Sequence, residues 1–110
     1  LVPVIQQAAL DYVAAPDTAN AIILDAVNQY NNGWVYDAGQ AKAAVAKMQE
    51  DNLIANSPDG TLGSFDIDRV TAFIATAAPV FTSTGSEVKE GLVADDIVTN
   101  KYINPAIKLG

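Results

Sequence analysis

The sequence predicts an all-α fold, about five helices in an irregular bundle over residues 1–110, on three observations. Apolar residues recur at three- and four-residue spacing through most of the chain. Proline, glycine, asparagine and capping residues punctuate that pattern at helix-length intervals. The most strand-like stretch, Gly33 to Tyr36, is too short to build a sheet.

The first helix carries Leu1, Ile5, Ala8, Ala9, Tyr12 and Val13 as its apolar stripe and stops before Pro16, because proline pushes its predecessor out of the helical region. Pro16 suits the first turn of the second helix, where its missing N–H costs nothing, and Asp17 suits that helix's positive end. Ala19, Ile22, Ile23, Ala26, Val27 and Tyr30 form the second stripe, with Tyr12 and Tyr30 expected in the core. Asn31-Asn32-Gly33 closes this helix, since both residue types accept a left-handed C-terminal cap.

Trp34-Val35-Tyr36 forms a short bridge to a third helix. Asp37 is its expected N-cap, with Gln40 as the capping-box partner. The buried face reads Ala41, Ala44, Val45, Met48, with Lys42 and Lys47 off it and Glu50 and Asp51 beyond. Leu53-Ile54 is expected to tuck back onto the core before a loop at Asn56-Ser57-Pro58-Asp59-Gly60. Ser64 or Asp66 caps a fourth helix with the face Ile67, Val70, Phe73, Ile74, Ala77 and Phe81, which Pro79 should kink or end. Thr82 to Gly91 reads as a loop, and Asp95 to Ile103 as a last short helix ended by Asn104-Pro105.

Composition excludes several functions. The formal net charge is −7, from six basic and thirteen acidic residues, so no basic surface exists to displace counterions from nucleic acid or to meet anionic lipid. There is no cysteine and no histidine, which removes disulfides, thiolate sites, the commonest general base and the commonest metal ligand. No apolar run approaches the roughly 18 residues of a membrane span, so no membrane insertion is expected of this segment. The chain opens on Leu1-Val2-Pro3-Val4-Ile5 rather than Met, and is read as a fragment or a processed product.

Each chemical candidate has a plainer explanation. The stretch Asp59 to Asp68 invites a calcium reading, but it lacks the alternating acids and the twelfth-position glutamate of an EF-hand, and reads better as a turn plus a helix cap. Gly63-Ser64 resembles the attachment serine of acyl carrier proteins only faintly, without the aspartate before and leucine after. Asp66 and Asp68, two apart at a helix start, point in different directions and suit the helix dipole rather than acid–base work, Asp68 with a nearby Lys or Arg as partner. Asp95-Asp96 reads the same way. Trp34 and Tyr36 could stack on a ligand, yet cover for the core between the second and third helices is the expectation. No catalytic residue, metal or cofactor is predicted, and no ligand-contacting residue is assigned.

Three stretches in order resemble the C-terminal region of the nitrate/taurine/thiamine-pyrimidine-type periplasmic solute-binding proteins, whose fold fungal pyrimidine synthases also use. The first is Ala8-Ala9-Leu10-Asp11-Tyr12 with Ala15-Pro16-Asp17-Thr18-Ala19, similar to the family's helix, "asparagine-proline-acidic-x-alanine" turn and next helix, with Ala15 at the cap position. The second is Met48 to Ile54, then Gly63 to Asp66 and Arg69-Val70, with Asn52 where the family carries glycine. The third is Leu92 to Ile103, where Thr99-Asn100-Lys101-Tyr102-Ile103 is similar to the family's terminal signature and Val98 stands at its first aromatic. The resemblance implies the C-terminal helical part of a bilobed α/β periplasmic-binding-protein fold. It implies a non-enzymatic protein that captures a small polar solute between lobes and delivers it to an ABC transporter permease, in the periplasm or tethered outside the membrane. The alternatives are a thiamine-pyrimidine synthase-like enzyme of the same fold and a free-standing helical interaction module.

Overall fold

A computed structural model describes every residue except Asn31, Asn32 and Trp34. Among the described residues the chain is all-helical, as its periodicity predicts: α1 spans Val2–Ala14, α2 Pro16–Tyr30, α3 Ala38–Glu50 and α4 Ile67–Ser83, with one 3-10 turn at Ala94–Asp96. The single bridge found, Asn56 to Leu62, is isolated and antiparallel.

Local chemistry sets the helix ends. Pro16 opens α2 one residue after Ala15, whose N–H closes α1 by donating to the Asp11 carbonyl. The Asp37 carboxylate caps α3, accepting from Gln40 N at 2.8 Å. Of the two residues expected to cap α4, Asp66 does so, accepting from Arg69 N at 3.2 Å; the Ser64 hydroxyl is engaged elsewhere. Gly33 (φ +83°) has the left-handed backbone expected after α2, while Asn31 and Asn32 of that predicted cap and Trp34 of the bridge lie outside the described residues.

Among the described residues four α-helices and a 3-10 turn stand where about five helices are expected. The last predicted helix, Asp95 to Ile103, contracts to Ala94–Asp96. The Asp96 carboxylate accepts from Val93 N, and the Asn100 amide is committed to the backbone of Phe65, so side chains compete with the helical ladder. Pro79 does not end α4, which runs on to Ser83. Its missing N–H leaves the Ala75 carbonyl without its helical donor.

The arrangement is open rather than a bundle. α1 packs on α2 and α2 on α3, while α4 packs on the 3-10 turn and on none of the other helices. The radius of gyration is 18.1 Å, against about 13 Å for a compact domain of this length. The accessible surface is 8143 Å², against about 5,800 Å² for a folded monomer of this mass.

The helices are rolled relative to the predicted stripes. On α1 the buried position is Gln6, while Val4, Ile5 and the preceding Leu1 are exposed. On α2 it is Asn20, while Ile22, Ile23 and Tyr30 are exposed, so Tyr30 is not a core residue. α3 keeps its predicted face at Ala41, Val45 and Met48, though Ala44 is exposed. α4 has no buried residue, and Phe73, Val80 and Phe81 lie open. Among the described residues the buried hydrophobic ones are only Ala41, Leu62 and Ala94.

Candidate functional site

The acidic loop is built around one carboxylate. Asp59 Oδ1 accepts from Thr61 N at 2.9 Å, Thr61 Oγ1 at 2.8 Å and Ser64 Oγ at 2.9 Å. Gly60, with φ +84°, closes the turn by donating its N–H to the Ser57 carbonyl at 2.8 Å. The backbone N–H of Thr61, then the Thr61 and Ser64 hydroxyls, hold the Asp59 carboxyl below its ordinary value of 3.8. That oxygen therefore organises a turn, and Ser64 is a buried donor to it rather than a helix cap or an attachment serine. Asp66 caps α4 half-buried, and Asp68 is exposed in the first turn with no ion pair among the described residues. Asp96 accepts from Lys89 Nζ at 2.8 Å, which lowers its pKa first, and from Val93 N. Asp95 lies exposed beside it. Among the described residues no three acidic groups converge as a metal site.

Of the two aromatic candidates, Trp34 lies outside the described residues. Tyr36 is half-buried, and its phenol donates to Asn20 Oδ1 at 3.1 Å; the Tyr12 phenol donates to the same oxygen at 3.2 Å. This polar node between α1, α2 and the start of α3 is absent from the sequence-level reading. The sequence shows there only an asparagine beside an apolar stripe, which reads as solvent-facing. Beside it Tyr12, Val13, Pro16, Val45, Met48 and Ile54 line an apolar cleft of about 220 Å³.

The C-terminal residues, which form no regular element, are fastened by three side-chain amides. Gln6, 4% exposed, donates from Nε2 to the carbonyls of Leu62 (2.7 Å) and Asn104 (3.2 Å), and accepts from Asn104 N (2.9 Å). Asn56 exchanges two bonds with the backbone of Leu109, at 2.8 and 3.0 Å. Asn100 does the same with Phe65, at 2.7 and 2.9 Å. Each amide presents a donor and an acceptor side by side, as a paired strand would, so the tail is held without a sheet.

What remains is surface. Leu1 at the N-cap of α1, Val4 and Ile5 on α1, Ile22 on α2, and Phe73, Val80 and Phe81 on α4 are all more than half exposed. No described helix is long and apolar enough to cross a membrane. No known protein family, curated protein sequence or solved structure matches the chain.

Proposed function

We propose that the chain is the C-terminal helical part of a solute-binding protein, one that captures a small polar solute and passes it to an ABC transporter permease outside the cytoplasm. The observation that carries the reading is the open apolar surface of α1, α2 and α4. Burial of a large aliphatic or aromatic side chain contributes about 1.5–3 kcal/mol, and faces of this kind are built to be covered by another part of the same protein. In a bilobed α/β fold the strands of a lobe would supply that cover, and these helices would be its outer wall.

The resemblance to the nitrate/taurine/thiamine-pyrimidine-type binding proteins says which larger protein this is, and two local features support it. Asn52, standing where that family carries glycine, has φ +52° and is the only non-glycine residue with a left-handed backbone among those described. The stretches that carry the resemblance also meet in space, since Asn100 of the terminal signature grips Phe65 of the middle passage. The resemblance implies that the solute cleft is lined mostly by residues outside this segment.

The test is a thermal-shift screen of the complete gene product against sulfonates, nitrate and pyrimidines. One class should raise the melting temperature, by a stabilisation of about 2.7 kcal/mol at a hundredfold excess over Kd. If no solute shifts it, and the complete product melts cooperatively as a monomer no longer than this chain, the reading is wrong.

A further inference from the structure

A second site, independent of the transport reading, lies between α2 and α3. A cleft of about 270 Å³ opens there, lined by Asp17, Asn20, Leu24, Tyr36, Ala41 and Lys42 among others. That volume is at or below the small end of ligand sites, roughly 300–1,000 Å³, so only a small molecule fits.

Among the lining residues is Asn20, 8% exposed. The two phenols that donate to Oδ1 fix the amide plane and occupy the acceptor. The Nδ2 group carries two donors, and among the described residues it has no partner. Among the described residues no fully enclosed side-chain polar atom is left unsatisfied, so Nδ2 keeps some open surface, and Asn20 lines this cleft. The lining includes one acid, Asp17, and one base, Lys42, both exposed and neither in an ion pair among the described residues. Leu24 and Ala41 supply an apolar wall.

A lone carboxylate in this cleft would meet Asp17, and a lone amine would meet Lys42. A molecule carrying both charges satisfies both. We infer that the cleft binds a small zwitterionic α-amino acid with a short apolar side chain. Its carboxylate is held by Asn20 Nδ2 and the Lys42 ammonium, its ammonium by Asp17, and its side chain by Leu24 and Ala41.

L-valine is the probe, titrated calorimetrically into the whole protein, with propionate and isobutylamine as single-charge controls. Saturable valine binding is expected, with each control at least tenfold weaker. Lys42→Gln and Asp17→Asn should each weaken valine at least tenfold. Both side chains are exposed, so an unchanged melting temperature separates lost binding from lost folding. Absence of valine binding to the wild-type protein overturns the assignment, as does wild-type affinity in either variant, which would place the valine elsewhere.

Discussion

Gln6 and Asn104, 98 residues apart in sequence, exchange two hydrogen bonds: Gln6 Oε1 accepts from Asn104 N at 2.9 Å, and Gln6 Nε2 donates to the Asn104 carbonyl at 3.2 Å. The same Nε2 reaches the Leu62 carbonyl at 2.7 Å. One buried side chain thus joins α1, the acidic loop and the tail, where a sheet would ordinarily supply such long-range pairing.

Gln6→Ala should therefore be among the most damaging single changes in α1. It removes the partner of a buried carbonyl and of the Asn104 N–H, and each orphaned group costs about 1–3 kcal/mol. A loss of roughly 2–4 kcal/mol in urea unfolding of the whole protein is expected. Gln6→Glu should not rescue it, because the carboxylate cannot donate to Leu62 and would be buried as a charge. A change under about 0.5 kcal/mol, the range of ordinary surface substitutions, would show that the clamp contributes nothing.

Asn100 and Asn56 make clamps of the same form in more open positions. Asn100→Ala should cost less than Gln6→Ala, about 1–2 kcal/mol, because water can replace part of what is lost. Hydrogen exchange separates the two sites. Phe65 N–H should lose protection in Asn100→Ala and Leu109 N–H in Asn56→Ala, each without the other. Simultaneous loss at both amides in either variant would mean that the tail is held as one unit.

The clamps explain what the sequence could and could not reveal. The Asp37 and Asp66 caps are local, bonding three residues ahead, and both are readable from type and spacing. Pro16 marks the α1–α2 boundary for the same reason. Gln6 and Asn20 are invisible at that level, because a polar residue beside an apolar stripe reads as solvent-facing. Their partners are distant or lie across a helix junction. Once both point inward, α1 and α2 roll, and Ile5, Ile22 and Tyr30 turn outward. The last helix fails for a related reason, since nothing local tells that Asn100 will spend its amide on Phe65.

Asn52 carries a testable strain. A non-glycine residue in the left-handed region costs about 1–2 kcal/mol, less for asparagine, and φ at Asn52 is +52°. Asn52→Gly should stabilise the protein by about 0.5–1 kcal/mol, and Asn52→Ala should destabilise it by a similar amount. Equal stability of the three proteins in urea would remove both the strain and the support it lends to the family resemblance.

Asp59 predicts an acid-side sensitivity. Its carboxyl is held below 3.8 chiefly by the Thr61 N–H and by two hydroxyls. A group with a depressed folded pKa contributes stability above its unfolded pKa, about 3.9, and loses it as pH falls through the folded value. The melting temperature should therefore begin to drop below about pH 4. Asp59→Asn, which cannot titrate, should flatten that part of the profile. Asp96 is shifted the same way through Lys89, so the double variant Asp59→Asn with Asp96→Asn should be flatter still. Identical acid profiles for wild type and double variant would exclude both carboxyls as the source.

The open apolar faces make a prediction about the 110-residue chain expressed alone. Each Phe or Ile side chain left in water forgoes about 1.5–3 kcal/mol of burial, so the isolated chain should self-associate as concentration rises. α1 and α4 do not pack on each other, and their exposed residues can be changed separately. Phe73→Ser with Phe81→Ser should lower the sedimentation-average mass by removing one adhesive face; Val4→Asp with Ile5→Asp should remove the other. All four positions are more than half exposed, so helix content by circular dichroism should be preserved within the chain. A wild-type chain that stays monomeric at high concentration would show that α1 and α4 are not waiting to be covered. The wall-segment reading would then lose the observation that carries it.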